Sequence, residues 1–326
     1  MRPEPHLLHH LLDATAAAVP YSMAVVDGAR SATYGELHAA AQHLARRFLA
    51  AGLERGDRVA VVLPKSLEEC AAIFAVAMAG GVVVPVNVLL KPAQVRHIVA
   101  DCAARIVLTR DEQLGELRDA FAGLDTVRLT TDGADAAEAT PELPLPRGGI
   151  GEDLAAILYT SGSTGRPKGV MLSHRNLLAG TRIVRTYLGI TAEDRILSIL
   201  PFSFDYGLNQ LLTSVEQGAR IVLLTFQFGA DIVKAIVAHG ITGLAGVPTI
   251  WAILTRATPM LAQTPLPTLR YITNSGGAVT SATVSRLRIL LPETRIFLMY
   301  GLPEAFRSTY LPPEARDRRP TPIGQA

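Results

Sequence analysis

The sequence predicts an α/β protein with a mainly parallel sheet covered by helices on both faces. Two observations carry this expectation. Short apolar runs of strand length alternate with segments of helical period along most of the chain, a pattern that parallel sheets require. The small residues are mostly Ala, Gly and Val, as expected where helices pack closely on a sheet buried on both faces. At 326 residues, 49% of them hydrophobic and 18% charged, the chain has enough apolar material for one large domain or two ordinary ones and is not disordered.

Taken in order, Thr33 to Ala51 reads as a helix with Leu37, Ala41, Leu44 and Phe48 on one face, closed by Gly52. Asp57 to Leu63 is a short strand, and Ser66 is placed to cap a helix through Met78. Residues 71–90 are almost uninterrupted apolar sequence, long enough to cross a bilayer. Gly80 and Gly81 split the run, and Pro85 and Asn87 lie in its second half. Helix, glycine turn and the strand Val82 to Val86 therefore explain it better than a transmembrane segment. Further strands are expected at Ala104 to Thr109 and Thr126 to Leu129. Residues 132–150, with Pro141, Pro144 and Pro146, read as a connection between a first α/β subdomain (1–150) and a second (151–326).

The alternation then resumes with a strand at Leu154 to Tyr159, a glycine-rich loop and a helix from Ser173. Strand Arg195 to Leu200, a helix near Leu208 to Gln217, strand Arg220 to Leu224 and helix Ala230 to His239 follow. Strand Thr242 to Val247, a helix from Pro248, and strands Leu269 to Ser275 and Arg295 to Tyr300 complete the pattern; the last two each end in a glycine-bearing turn.

Formal net charge is +2 with acids and bases interspersed, and the one basic knot, Arg316, Arg318 and Arg319, is broken by Asp317. It reads as a solvated turn, so no nucleic-acid partner is expected. Cys70 and Cys102 have neither metal-ligand spacing nor a disulfide framework, and residues 1–20 show no signal-peptide pattern. A cytoplasmic location is the expectation. His9 and His10 have no partnering acid nearby in sequence and read as surface residues. His174 reads as a packing or capping residue, and Trp251 as core or pocket lining. Asp231 and Lys234 read as a solvated helix face.

The strongest chemical signal is the segment Tyr159 to Gly169. Four hydroxyls (Thr160, Ser161, Ser163, Thr164), the glycines Gly162, Gly165 and Gly169, and Lys168 follow an apolar strand directly. Gly162 and Gly165 let backbone N–H groups turn toward an anion, and the hydroxyls add neutral donors. Lys168 supplies a movable point charge for a phosphate. The order of residues is not that of the Walker loop, which needs Gly-Lys-Ser/Thr.

This loop resembles the signature of the adenylate-forming superfamily, which includes acyl-CoA synthetases, luciferases and peptide-synthetase adenylation domains. Other segments match in the family's order: Thr33 to Leu37, Ala77 to Pro85, Pro201 to Gly207, Ser275 to Ala278 and Tyr300 to Glu304. Tyr300 to Leu311 also resembles ligases encoded beside exosortase systems. The resemblance implies a layered αβαβα large N-terminal domain with two mainly parallel sheets covered by helices, and the activation of a small-molecule carboxylic acid with ATP to an acyl-adenylate. Transfer to coenzyme A would follow, or to the phosphopantetheine thiol of a carrier protein. It further implies that Thr160, Ser161, Gly162, Ser163, Thr164, Gly165 and Lys168 bind the β- and γ-phosphates, with Thr164, Lys168 and Glu304 closest to the chemistry. Tyr300 would stack on adenine with Gly301 beside it. Gly276, Gly277 and Ala278 would form the adenine and acyl wall, and Glu304 would hold Mg2+. Phe204, Asp205, Gly207 and Gly276 would line the acid site. No residue is required as a nucleophile or general base.

Two departures stand out. Pro303 replaces the family's Thr, whose hydroxyl contacts the α-phosphate. The family's ribose-binding Asp and its small C-terminal domain with a catalytic Lys lie beyond the sequence given, which stops in what reads as mid-loop at Ala326. The expectation is a chain that lacks that domain and forms adenylate slowly or acts as a non-catalytic nucleotide-binding remnant. Asp205 leaves the acid open. In family members that act on amino acids an Asp at this place pairs with the α-ammonium, whereas the plain alternative is a cap of the following helix.

Overall fold

The computed structural model describes residues 4–132, 142–146, 148–160, 167–305 and 309–312. The chain begins with α1 (His10–Ala18), β1 (Met23–Asp27), β2 (Arg30–Thr33), α2 (Tyr34–Ala50), β3 (Arg58–Val61), α3 (Leu67–Met78) and β4 (Val82–Pro85). There follow α4 (Pro92–Asp101), β5 (Ala104–Thr109), α5 (Asp111–Leu117), β6 (Val127–Thr130), β7 (Leu154–Thr160), β8 (Lys168–Ser173) and α6 (His174–Leu188). The remainder is β9 (Arg195–Ser198), α7 (Asp205–Gln217), β10 (Arg220–Leu223), α8 (Gly229–His239), β11 (Gly243–Gly246), α9 (Pro248–Arg256), α10 (Pro259–Gln263), β12 (Tyr271–Asn274), α11 (Ser281–Leu290), β13 (Arg295–Tyr300) and β14 (Thr309–Leu311).

Two compact units result. One comprises Met1–Ser22, Ala32–Ala179 and Phe202–Phe204; the other comprises Met23–Ser31, Gly180–Pro201 and Asp205–Ala326. The first unit holds a six-stranded sheet in the order β6-β5-β3-β4-β7-β8, parallel except for the β7–β8 hairpin. The sequence division at residue 150 falls elsewhere. β7 pairs with β4 through Val83 and Ala156 and with β8 in a hairpin, so β7 and β8 extend the first sheet.

Local chemistry explains why these elements form where they do. Thr33 closes a reciprocal capping box with Glu36: its side chain accepts from the Glu36 N–H, and the Glu36 carboxylate accepts from the Thr33 N–H at 2.7 Å. Ser66 caps α3 by accepting from the Glu69 N–H at 3.3 Å. α3 is buried from Glu69 through Met78, so the long apolar run is a core helix and the strand after it. Among the described residues, no helix is long and apolar enough to cross a membrane.

His174 begins α6 and is buried, with its Nδ1 accepting from the Leu8 N–H at 3.0 Å. Burial pushes its pKa down to about 4, so the ring is neutral and able to accept that bond. His9 and His10 are not the free surface residues that the sequence suggested. Both are half-buried, and Asp13, on the next turn of α1, lies 3.9 Å from His9 Nε2 and 2.9 Å from His38 Nε2 on α2.

The second unit holds an eight-stranded sheet in the order β14-β13-β12-β11-β9-β10-β1-β2, parallel from β13 to β1. β14 closes one edge antiparallel to β13. The chain leaves β9 for β10 on one side and returns as β11 on the other, which makes β9/β11 a topological switch point. The crevice beyond the carboxyl ends of strands at such a point is where open α/β sheets bind ligands.

The opposite, amino-terminal edge of this sheet is tied by a buried network. Asp194 accepts from the Thr191 N–H at 2.9 Å, from the Thr242 hydroxyl at 2.6 Å and from the Arg270 guanidinium at 2.7 Å. These residues immediately precede or flank β9, β11 and β12. They set strand positions rather than chemistry.

Candidate active site

The motif residues of the second unit gather at the carboxyl ends of its parallel strands. The β12–β13 ladder ends with Asn274 opposite Leu298, so the turn Ser275 to Ala278 leaves β12 level with Met299 and Tyr300. Gly276 adopts φ +78°, in the left-handed region that glycine enters without steric penalty. Gly277, Ala278 and the Tyr300 ring are exposed, Tyr300 to 49%. Gly301 follows, and Pro303 opens the 3-10 turn Pro303–Ala305, in which Glu304 is exposed. A proline suits this first helical position because its missing N–H would have no intrahelical partner there.

The glycine turn is held from behind. Asn274 Nδ2 donates to the Gly277 carbonyl at 2.9 Å, and Asn274 Oδ1 accepts from the Trp251 indole at 3.0 Å. Trp251 is 1% exposed, so the sequence reading of it as core or lining holds, with a positioning role added through Asn274. Sequence reasoning missed Asn274, because a lone Asn after a strand carries no pattern.

Helix α7 follows β9 and is tied to β12 at its start. It begins at Asp205, three residues earlier than the sequence suggested, and Asp205 is 3% exposed in its first turn. A carboxylate there is favoured by the positive end of the helix dipole. Asp205 is thus part of the helix rather than a cap ahead of it. The Tyr206 hydroxyl meets the Thr273 hydroxyl on β12, fixing the start of α7 to the strand that carries the glycine turn. One turn along from Asp205, the buried Asn209 Nδ2 has no hydrogen-bond partner among the described residues. Gly207 is where α7 crosses the preceding chain: a Cβ there would lie 2.1 Å from the Pro201 carbonyl oxygen. Phe204 is half-buried and belongs by its contacts to the first unit.

The hydroxyl loop is carried by the first unit. Thr160 ends β7 and Lys168 begins β8, paired with each other in the ladder. Ser161, Gly162, Ser163, Thr164 and Gly165 lie outside the described residues. Lys168 is exposed. The Tyr159 hydroxyl donates to Asp101 at 2.6 Å, and His97 Nε2 lies 3.1 Å from the Pro167 carbonyl, so both ends of the loop are anchored to α4. The sequence did not reveal β8. The helix that follows starts at His174, so no helix N-terminus adjoins Lys168.

A doubly wound sheet with a glycine turn, a terminal tyrosine and an acidic turn at its carboxyl edge defines a nucleotide-binding α/β enzyme class. The comparisons agree with it. The family model of the AMP-binding enzymes matches residues 12–326, and the chain belongs to that family. It is 31% identical over 323 residues to surfactin synthase subunit 2 of Bacillus subtilis, covering 95% of this chain and 8% of that protein. It is 32% identical over 290 residues to a feruloyl-CoA synthase of Amycolatopsis sp, covering 88% of this chain and 57% of that protein. The chain therefore spans less than two thirds of these relatives. Among solved structures, VinN in complex with L-aspartate superposes with a TM-score of 0.86 at 32% identity, over 98% of this chain and 81% of that one. The N-terminal domain of FACL13 from Mycobacterium tuberculosis superposes with a TM-score of 0.89 at 25% identity, over 98% and 82%. The family is that of adenylate-forming synthetases and CoA ligases, and the two mostly parallel sheets flanked by helices are its N-terminal-domain fold.

Proposed function

We propose that the chain binds ATP and a carboxylic acid and promotes attack of the carboxylate on the α-phosphorus, giving an acyl-adenylate and pyrophosphate. A thiol, that of coenzyme A or of carrier-protein phosphopantetheine, would then accept the acyl group. The observation that carries this reading is that the Ser275–Ala278 turn and Tyr300 leave neighbouring parallel strands at one edge of one sheet, with the start of α7 tied to the same strand through Tyr206 and Thr273.

The half-exposed Tyr300 ring offers an apolar face to adenine. The open backbone at Gly276 and Gly277 lets the base and the acyl group approach closely. Lys168 would offset part of the triphosphate charge, and the hydroxyls of Thr160, Ser161, Ser163 and Thr164 would donate hydrogen bonds to its oxygens. A single exposed carboxylate, Glu304, together with phosphate oxygens suits Mg2+, which keeps several waters and takes one or two carboxylates. Bound there, Mg2+ supplies charge that offsets the departing pyrophosphate. The chain's own contribution is positioning and charge stabilisation.

A second reading concerns the acid. In the family, an Asp at the place of Asp205 pairs with the α-ammonium of an amino-acid substrate, and Asn209 Nδ2, without a hydrogen-bond partner among the described residues, adds a polar point one turn along the same helix face. An amino acid handed to a carrier-protein thiol fits this better than a plain fatty acid. VinN, solved with L-aspartate, supports that direction.

Calorimetry with ATP·Mg2+, followed by pyrophosphate exchange over fatty, aryl and amino acids, tests both readings. Nucleotide binding lost in Tyr300→Ala, and exchange with amino acids lost in Asp205→Asn, are the expected results. A folded chain that binds no nucleotide overturns the first reading. Exchange with fatty acids alone, unaltered in Asp205→Asn, overturns the second.

A further inference from the structure

On the first unit, away from every residue assigned above, α1 and α2 form one side of a cavity of about 680 Å³. Its lining includes His6, His9, His10, Asp13 and His38, together with the backbone of Gly148 and Gly149. Four imidazoles and a carboxylate converge there from two helices and the turn before the first.

The spacing explains the convergence. His9, the N-cap of α1 with helical dihedrals, and His10, its first residue, stand four and three residues before Asp13, so both face its carboxylate one turn on. The His10 ring lies edge-on to His6, with centroids 4.5 Å apart, and to His9 at 4.6 Å. One ligand atom from each of His9, His10 and Asp13 falls within 4.8 Å of the other two. His38 reaches across from α2 to the Asp13 carboxylate at 2.9 Å.

Two observations set this cluster apart from ordinary surface polarity. His9 Nδ1 is buried and has no hydrogen-bond partner among the described residues, which leaves a desolvated lone pair or N–H unsatisfied. His10 Nδ1 has only a long contact, accepting from the Leu7 N–H at 3.4 Å.

We propose that His9, His10 and Asp13 bind one first-row transition-metal ion of the Zn2+ class, with His38 orienting the Asp13 carboxylate or completing the coordination. Imidazole and carboxylate ligands suit Zn2+, and an outer hydrogen bond to a ligating carboxylate is the usual support for such sites. Zn–N bonds of about 2.0–2.1 Å place tetrahedral ligand atoms about 3.3 Å apart, so binding draws the three groups inward by about 1 Å. Rotation of these half-buried side chains toward the cavity supplies that movement without shifting α1. Arg46, the cation in the lining, stands two turns beyond His38 on α2, roughly 12 Å along the axis. It does not compete for the same point. The ion would clamp α1 to α2, and hence brace the start of the chain against the helix that the Thr33 capping box initiates. This is a different ion from the Mg2+ expected at Glu304, with different ligand chemistry.

The test is calorimetric titration of the intact chain with Zn2+ in the presence of excess Mg2+, with wild type, His10→Ala, Asp13→Asn and, as a control outside the cluster, His43→Ala. One ion per chain is expected, with affinity falling about tenfold or more in the first two variants and unchanged in His43→Ala. Asp13→Asn keeps the shape of the side chain, so it decides the matter if His10→Ala does not fold. Thermal unfolding gives an independent reading, with Zn2+ raising the midpoint of wild type and not of Asp13→Asn. Absence of binding at millimolar Zn2+, or equal affinity in wild type and Asp13→Asn, overturns the assignment.

Discussion

Gly207 offers the sharpest test of how the acid side of the site is built. A methyl group at this position would sit 2.1 Å from the Pro201 carbonyl oxygen, 2.8 Å from the Pro201 carbonyl carbon and 3.0 Å from the Leu200 carbonyl oxygen. Carbon–oxygen contacts of this kind close to about 3.3 Å at best, so Gly207→Ala must push α7 and the 200–201 chain apart by about 1 Å. Overpacking typically costs about 1–3 kcal/mol, and because the obstacle is main chain rather than a flexible side chain the upper end applies. Alanine returns at most about 1 kcal/mol of helix propensity. The net loss is about 2 kcal/mol, or roughly thirtyfold in the folding equilibrium.

The displacement matters more for activity, since Asp205 and Tyr206 begin the same turn and a 1 Å misplacement costs about a hundredfold. Urea unfolding followed by fluorescence reads the stability term in the right unit, because Trp251, the chain's single tryptophan, is buried in the second one. Gly115→Ala, where a Cβ meets nothing within 4 Å, is the control and should be neutral or slightly stabilising. A Gly207→Ala protein with wild-type unfolding midpoint and wild-type activity would refute the close crossing of α7 over Pro201.

Three further outcomes are expected. Pro303→Thr would supply the hydroxyl that the family resemblance directs at the α-phosphate, and a hydrogen bond to a charged group contributes about 1.5–3 kcal/mol, so calorimetry should show nucleotide binding about ten to a hundred times tighter; equal affinity would count against the proposed role. His174 is held near 4 in the fold against 6.5 when exposed, so its contribution is fully present above pH 6.5 and is lost as pH falls toward 4, by up to about 3 kcal/mol. Urea midpoints measured at pH 7.5 and 4.5 should therefore diverge less in His174→Gln than in wild type, and an identical pH response would exclude this account. Asp194→Ala leaves the Thr242 hydroxyl and the Thr191 N–H without their acceptor and should cost about 3 kcal/mol, part of the Arg270 loss being made good by water at its exposed side. Nucleotide affinity of the folded fraction should not change, and a change would show that the network reaches the site.

Much of this architecture could be read from the chain before folding, and the exceptions have physical causes. α2 and α3 were legible because Thr33 and Ser66 announce their starts and apolar periodicity carries them onward. β5 and β13 coincide with their apolar runs. The start of α7 was hidden because Pro201 and Gly207 look like loop residues. Only the three-dimensional crossing shows that Gly207 is a helical residue with no room for a side chain. β8 was obscured because Lys168-Gly169 lacks strand character and gains it by pairing with β7. The placement of β1 beside β10 is a pairing across almost 200 residues that no local pattern encodes. In the candidate site, Asp205, Gly276, Tyr300 and Glu304 stood out only through the family resemblance of the segments that carry them. Asn274 did not, since its role exists only through the Trp251 indole on one side and the Gly277 carbonyl on the other.

The placement of the Asp194 network has a consequence for changing what this scaffold accepts. From Arg270 to Ser275 the chain runs the length of β12, roughly 17 Å at the usual strand rise. Substitutions at the two ends of that strand share no partners and should combine without interaction energy. Reserve stability gained around β9, β11 and β12 where they enter the sheet can then offset the losses that come with remodelling α7 and the glycine turn where they leave it. A library that alters acid preference is best started from a variant already reinforced at the far end.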